Sequence, residues 1–480
     1  MSHSSLREAE LQQRVEDTRQ MLRSIDQEHL LHFVEELDQD ECCALLDQID
    51  LINLPAAAKI VLKAQDSEFK APSENAIQPA SFVPHHPPNE DEARQRGRKL
   101  IDGGKVAAFT VAGGQGTRLG WNGPKGSFPA SPLTGKPLFR LFAEQIRAMS
   151  ERSGKTIPWY IMTSPINDAD TRAFFTDNNF FGLDRTSIFM FPQGVLPSFD
   201  DDGKFMLATR SQVAVNPDGH GGSLRALRTS GAIEDMVARG IQQISYFQVD
   251  NPAVKTLDPL FVGLHAGDPS SSGEMSSKMI PKISAGEKVG VFCEVEDRTC
   301  VIEYSDLPVA LAEAVTQDGS LTYIAGSIAI HLLSVEFVDR LTRDEDSISL
   351  PLHMARKKVP YVSLESGALI KPDSPNATKL ELFIFDAIPL AERSMVYETE
   401  RVEEFAPIKN ADGGDSPASS AELQFERSAR WLEAAGIKVP RENGIPLAKI
   451  EISPLSALGP EDLPTEDTPE EIEPGAEIVI

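Results

Sequence analysis

Cysteine is scarce in this chain of 480 residues: Cys42, Cys43, Cys293 and Cys300 are all of it. None form a C-x-x-C pair, so neither a zinc site nor a disulfide framework is indicated, and a reducing, cytoplasmic setting is expected. No run of about 18 apolar residues occurs, so no membrane span is expected. The opening MSHSSLREAELQQR has no apolar core, and a signal peptide is not expected either. Positive charge is also short. Lys and Arg total 46 against 73 Asp and Glu, a net charge of −27. Such a surface repels nucleic acid and anionic membrane, and neither is an expected partner. Anionic small molecules would be repelled at long range too, so local cations must prevail at contact distance. After Lys449 no Lys or Arg follows, while residues 461–477 hold eight Asp or Glu. No internal repeat is evident.

What remains is an ordinary globular balance, 41% apolar and 25% charged. Residues 5–65 read as helical, with Leu30, Phe33, Val34 and Leu37 on one face. A polar, proline-bearing stretch from Ala71 to about Asp91 reads as a linker or wrapping segment. Beyond it, short apolar runs alternate with amphipathic stretches. The expected strands are Val106–Val111, Trp159–Thr163, Ile188–Phe191, Ile244–Val249, Gly290–Val295 and Ile324–Ile330. The expected helices include Leu138–Met149 and Ser223–Ala238. That alternation predicts an α/β sheet with ligands at the strand ends. From Phe405 onward, proline and acid predict a small module with short strands at most and a frayed end. The division expected is 1–92, 93–400 and 401–480.

Residues 106–126, VAAFTVAGGQGTRLGWNGPKG, carry the most chemistry. An apolar run breaks into Ala112-Gly113-Gly114-Gln115-Gly116, and the cations Arg118 and Lys125 follow. Glycines let backbone N–H groups approach a ligand, and amides with fixed positive charge suit phosphate. The Walker pattern fails here, because no Lys-Ser/Thr stands where it requires one. The dinucleotide pattern fails at its third glycine, which falls one place late. The whole string, G-G-x-G-T-R-L followed by P-K-G, resembles the signature of enzymes joining a nucleoside triphosphate to a sugar 1-phosphate. The plain alternative is a tight strand-to-helix turn with a surface arginine.

Other constellations sit at comparable places. Gln193-Gly194 follows one strand. Pro217-Asp218-Gly219-His220-Gly221-Gly222 is a glycine-rich turn opening a helix at Ser223. Asp250 ends the run Ile244–Val249, a position suited to holding a divalent cation over phosphates, or else to a turn or cap. Val301-Ile302-Glu303-Tyr304-Ser305 ends a strand in a carboxylate and a phenol, suited to sugar hydroxyls. Phe383 and Phe385 alternate as in a strand. Lys379 and Lys409 are lone lysines that by themselves read as solvated side chains.

Together these pieces resemble the UTP-dependent sugar-phosphate uridylyltransferases, and among them the eukaryotic-type UDP-N-acetylglucosamine pyrophosphorylases. The resemblance runs from roughly residue 25 to 455. It includes EHLL, VAGGQGTRLG, PKG, PWYIMTS, QGVLP, PDGHGG, VDN, VIEYS, AG-x-IA-x-H, KPD-x-PN, FIFD and PIKNA in order. It implies a Rossmann-like nucleotidyltransferase domain, a mixed sheet with helices on both faces, between an N-terminal helical region and a small C-terminal domain. It implies that Val111, Ala112, Gly113 and Gly114 form the nucleotide loop and that Arg118 and Lys125 hold the triphosphate. Gln193 and Gly219 would read uracil, Lys379 would contact phosphate, and Asp250 would lie near the α-phosphate as a ligand for magnesium or manganese. Gly290, Glu303 and Tyr304 would line the sugar site, Phe383 and Phe385 would wall it, and Lys409 would hold the sugar's phosphate.

Two positions depart from the pattern. His220 and Ser327 stand where the acetylglucosamine members usually carry Asn, and both face the sugar in the family. The expected substrates are UTP and N-acetylglucosamine 1-phosphate, the products a UDP-sugar and pyrophosphate, and the working form a monomer. Glucose, galactose or N-acetylgalactosamine 1-phosphate is the alternative acceptor, and a non-catalytic nucleotide sensor is the second alternative. A dinucleotide-dependent dehydrogenase is disfavoured by the displaced glycine and by Lys125.

Overall fold

A computed structural model describes residues 3–66, 72–344, 350–463 and 470–480. The chain divides into two compact units, both discontinuous in sequence. The smaller comprises 1–70, 193–225 and 342–384; the larger comprises 71–192, 226–341 and 385–480. These boundaries are not those expected from composition. The N-terminal helices share a unit with two later insertions, and the C-terminal stretch belongs to the larger unit. Ala71, the expected start of the linker, lies outside the described residues, as does part of the acidic tail.

The larger unit is built on a ten-stranded mixed sheet. Its strands are β1 (Ile77–Pro79), β2 (Val106–Val111), β3 (Trp159–Thr163), β4 (Ile188–Pro192), β5 (Gln243–Gln248), β6 (Met275–Pro281), β7 (Val291–Val295), β8 (Arg298–Ile302), β9 (Ala325–Ser334) and β10 (Met395–Glu398). The spatial order is β1-β7-β9-β5-β2-β3-β4, with β8 beside β7, β6 beside β9, and β10 beside β6. The block β5-β2-β3-β4 is parallel, while β9 meets β5 antiparallel. Parallel strands are covered on both faces and so carry unbroken apolar runs. β2 and β3 do so, and Phe109, Trp159, Tyr160 and Ile161 have no exposed surface. The helix Leu138–Ser153 buries Leu138, Phe139, Phe142 and Ile146 into the same core, and Gly154 at φ +65° ends it.

All six expected strands are present, though β9 runs on to Ser334. The expected helix Ser223–Ala238 is two, Ser223–Thr229 and Ala232–Arg239, separated at Gly231 with φ +79°. The wrapping segment after Ala71 supplies β1, which pairs with β7. The expectation of short strands at most after Phe405 fails. Pro417–Ala434 is an 18-residue helix, capped by Ser416 with Pro417 at its first position. The tail is not frayed at its end either, since Glu477–Val479 pairs with Lys449–Glu451. Glu451 ties this stretch into the unit by accepting from the Leu133 and Thr134 amides at 2.8 and 2.9 Å.

The smaller unit contains the helices His3–Ser24, Gln39–Ile52 and Leu54–Asp66 and several short hairpins. Leu30, Phe33 and Val34 are buried as expected, but Leu30 and Val34 lie on two short 3-10 turns, Glu28–Leu31 and Val34–Glu36, and Phe33 just before the second. The reason is tertiary. Buried Gln27 donates to Gly203 O at 3.0 Å and accepts from Phe205 N at 2.8 Å, which fixes the chain where a helix would continue.

Candidate active site

In the larger unit, the loop Ala112–Lys125 leaves the carboxyl end of β2. It is a closed excursion, fastened by Gly116 N to Gly123 O and Lys125 N to Gly114 O, both 3.0 Å. Its inner anchor is Asn167, which no sequence signal singled out. This wholly buried side chain donates from Nδ2 to the carbonyls of Ala112 at 3.0 Å and Gly114 at 3.2 Å. Its Oδ1 accepts from Ser164 N at 2.8 Å. With those carbonyls turned inward, the Gly113 and Gly114 amides have no hydrogen-bond partner among the described residues. Gly114 is exposed, and a Cβ there would meet only Lys125 Cδ at 3.9 Å. Internal packing therefore does not require a glycine at 114, and a glycine there leaves room for a ligand to approach the main chain.

Lys125 lies at the inner end of this loop, its side chain 15% exposed, with Nζ 3.5 Å from Asp250 Oδ2. Asp250 follows β5, the parallel neighbour of β2, so two adjacent strand ends present a cation and a carboxylate. Arg118 is exposed on the 3-10 turn Thr117–Leu119 and makes no ion pair among the described residues. Val111 is half-buried at the end of β2, and Ala112 is buried.

Beside Asp250 lies a small cavity of about 70 Å³, lined by Asp250, Asn251, Ser327, Ala329, Phe405 and Lys409. Lys409 Nζ is 3.6 Å from Asp415 and 5.4 Å from the centre of the Phe405 ring. Ser327 N donates to Gly290 O at 2.8 Å. A Cβ at Gly290 would lie 3.6 Å from Glu303 Oε1, so these three expected sugar-site residues are neighbours. Tyr304 is 47% exposed. Ala329 has φ +54°, where β9 and β6 slip register. This bulge reshapes the strand directly beside Ser327.

In the smaller unit, Gln193, Gly219, His220 and Phe383 gather. Buried Gln193 donates from Nε2 to Asp218 Oδ1 at 3.3 Å. Burial pushes the Asp218 carboxyl up to about 7, against the opposing pull of the Gln193 hydrogen bond and of Arg225. A Cβ at Gly219 would come within 2.4 Å of Leu382 O, and one at Gly222 within 2.1 Å of Asp218 Cγ. Unlike Gly114, these glycines are demanded by the protein's own packing. His220 stacks on Phe383 at 5.3 Å, and His353 meets the same ring at 4.2 Å. Burial and neighbouring His353 lower His220 to about 4, so it is neutral at physiological pH. Its Nδ1 accepts from Ile384 N at 3.1 Å, which leaves the ring proton on Nε2. Lys379, half-buried on the strand Ala377–Leu382, has its pKa lowered by burial and by Lys357, with Glu381 opposing. The expected strand alternation of Phe383 and Phe385 is absent. That strand ends at Leu382, and Ile384–Leu390 is a 3-10 helix. Phe385 belongs to the larger unit and is buried there.

A strand-end loop with bare amides, beside a lysine–aspartate pair, is a phosphate-handling geometry, and the similarities of the chain agree with it. The family model for UTP–glucose-1-phosphate uridylyltransferase matches residues 57–448. The chain belongs to this uridylyltransferase family. It is 36% identical over 472 residues to UDP-N-acetylhexosamine pyrophosphorylase-like protein 1 of Xenopus tropicalis, covering 92% of this chain and 91% of that one. It is also 36% identical to the UDP-N-acetylglucosamine pyrophosphorylase of Saccharomyces cerevisiae, covering 88% of this chain and 91% of the relative. Among solved structures, the uridine diphosphate N-acetylglucosamine pyrophosphorylase of Trypanosoma brucei, in complex with an inhibitor, superposes with a TM-score of 0.79. That pair is 25% identical and covers 96% of this chain and 98% of the other.

Proposed function

We propose that this uridylyltransferase joins UTP to N-acetylglucosamine 1-phosphate, giving UDP-N-acetylglucosamine and pyrophosphate. The observation that carries the proposal is the Lys125–Asp250 pair beside the unpartnered amides of Gly113 and Gly114, in a chain of this family. A phosphate oxygen of the sugar 1-phosphate attacks the α-phosphorus of UTP in line. The bond from that phosphorus to the bridging oxygen breaks, and pyrophosphate leaves with the electron pair. The attacking group is already an anion, so no protein nucleophile is needed, and positioning with charge neutralisation supplies the rate. Lys125 and Arg118 neutralise the triphosphate, and Lys409 holds the acceptor phosphate against the repulsion of UTP. Gln193 and Gly219 read uracil, and Lys379 contacts phosphate.

The residues fit a divalent cation in a limited sense. Magnesium typically takes one or two carboxylates and completes its shell with substrate phosphates and water. The described residues hold no cluster of three His, Cys, Asp or Glu, and Asp250 is the carboxylate placed to contribute. Magnesium or manganese held there would add positive charge against the phosphates.

The identities of His220 and Ser327 favour a second reading, in which the acceptor is glucose, galactose or N-acetylgalactosamine 1-phosphate. Altered hydrogen bonds in a sugar site shift discrimination by about 1–3 kcal/mol each, enough to change the preferred sugar. We take the working form to be a monomer. Four free thiols suit a reducing cytoplasm. No helix among the described residues is long and apolar enough to cross a membrane. The deciding experiment offers UTP and a panel of sugar 1-phosphates to the purified protein and records pyrophosphate release. N-acetylglucosamine 1-phosphate should give the highest kcat/KM. A higher value for another sugar transfers the assignment to it, and UTP binding without release from any of them refutes the catalytic reading.

A further inference from the structure

We infer that Asn251 is a positioning residue whose side-chain amide fixes the spacing between Asp250 and Lys409. The inference deepens the uridylyltransferase reading and rests on it for the roles of those two residues. Asn251 is 5% exposed and lies one residue beyond Asp250, at the end of β5. Its Nδ2 donates to Glu404 O at 2.6 Å. Its Oδ1 accepts from Ala406 N at 3.1 Å and from Ala253 N at 3.2 Å. Both ends of the amide are thus used, and two of the three bonds reach the segment that runs into Lys409. A main-chain bond, Ile408 N to Asp250 O at 2.8 Å, lies alongside them.

The far side of this clamp is itself fixed. The Glu404 carboxylate accepts from Lys278 Nζ at 2.5 Å and from Thr399 Oγ1 at 2.9 Å. Lys409 and Asp250 meanwhile line one cavity, with Asn251 in its wall. Two phosphoryl groups brought together repel each other, so the cation on one and the carboxylate beside the other must keep their separation. A misplacement of about 1 Å at such a site costs on the order of 100-fold in rate. Only a side chain carrying both a donor and an acceptor satisfies this position. Aspartate keeps the accepted bonds but sets a carboxylate oxygen against Glu404 O, and alanine loses all three.

The test compares full-length wild type with Asn251→Ala and Asn251→Asp. Two readouts are taken: kinetics with UTP and N-acetylglucosamine 1-phosphate, and hydrogen exchange of the peptide covering residues 404–409. Asn251→Ala should lower kcat about 10- to 100-fold while KM for UTP moves less than about threefold. Exchange in 404–409 should speed up by about tenfold, a local opening, with the β2 loop unchanged. Asn251→Asp should fall between alanine and wild type in both readouts, and it decides the matter if the alanine variant does not fold. Unchanged exchange in 404–409 overturns the inference. Faster exchange with kcat unchanged overturns it equally, because the tie would then be structural only. If wild type itself releases no pyrophosphate from any sugar phosphate, the functional reading fails, and the exchange readout alone decides whether the clamp exists.

Discussion

Replacing Lys278 by methionine measures how far the larger unit depends on one buried cation. Lys278 lies on β6 with no exposed surface. Its Nζ is 2.6 Å from Asp258 Oδ2 and 2.5 Å from Glu404 Oε1, and the Phe261 ring centre is 5.1 Å away. Methionine keeps much of the stem and removes the charge, leaving two buried carboxylates without their shared partner. The Glu404 Oε2 atom already has no hydrogen-bond partner among the described residues. Breaking a buried ion pair in this way costs about 3–5 kcal/mol, because the surviving charges stay buried and uncompensated. The cost should depend on pH. Burial pushes the Asp258 carboxyl up, but Lys278 and then Lys255 pull it further down, to well below the ordinary 3.8. Its contribution in wild type is therefore present above about pH 4 and lost as pH falls through the lower native value. In Lys278→Met the burial of Asp258 is far less opposed, its native carboxyl holds its proton more tightly than the unfolded one, and stability falls as pH rises. The gap between the two proteins must then widen from pH 5 to pH 8. Urea unfolding followed by tryptophan fluorescence suits the question, because Trp121, Trp159 and Trp431 all lie in the larger unit. With a slope of about 3 kcal/mol/M, the midpoint should drop by about 1 M or more at pH 8. A gap below about 1 kcal/mol, or one equal at both pH values, refutes the reasoning.

Three further outcomes are expected. The Asp218 carboxyl titrates near 7 in the native protein against an ordinary 3.8, so its protonated form is favoured by folding. That stabilisation is fully present below about pH 4 and is lost as pH rises to about 7. Asp218→Asn should therefore gain on wild type by up to about 4 kcal/mol between pH 4 and pH 8, read as a growing Tm difference. A difference that shrinks with rising pH contradicts this. At φ +54° Ala329 suffers a backbone penalty that glycine escapes and a β-branched residue worsens. Ala329→Gly should be neutral to stabilising by about 1 kcal/mol and Ala329→Val destabilising by about 2 kcal/mol, and thermal shifts in the reverse order would contradict the assignment. Lys125→Ala should lower kcat by about 100- to 1,000-fold while changing stability by no more than about 1 kcal/mol, since the Asp250 pair is partly solvated. Full activity in that variant removes Lys125 from the catalytic set.

Strand ends were legible because their signals are local. An apolar run followed by glycine or aspartate located β2 and β5 and the loops that leave them, and the turn Pro217–Gly222 was found the same way. The chemistry of a glycine was less legible than its presence. A Cβ at Gly114 would meet only Lys125 at ordinary contact distance while one at Gly222 would press on Asp218, and nothing in the sequence separates the two cases. The helix Pro417–Ala434 was missed although Ser416 and Pro417 form a proper helix start, because the acid- and proline-rich composition of the whole stretch outweighed a signal of two residues. At Leu30–Val34 the periodicity identified the buried side chains and named the wrong element, since Gln27 binds main chain almost 180 residues away.

The residues to which the sequence reading gave no role share one physical character. Asn167, Asn251 and Lys278 are buried polar groups whose partners include residues more than 50 positions away in the chain. None has a local periodicity, because its role is set by which distant carbonyl or carboxylate the fold delivers to it. Asn167 and Asn251 use both ends of an amide, so each specifies a single arrangement of the loop it holds. Any slip would leave a buried donor or acceptor unsatisfied, at about 1–3 kcal/mol per group. Phosphate-binding amides and lysines have to be aimed before substrate arrives, since an amide that reorients during the reaction gives back part of the stabilisation it provides. A ligand-facing loop rich in glycine cannot hold its own aim. On the proposed function, the aim of the Gly113–Gly114 amides and the Asp250–Lys409 spacing rest on Asn167 and Asn251, whose side-chain amides are spent on main chain.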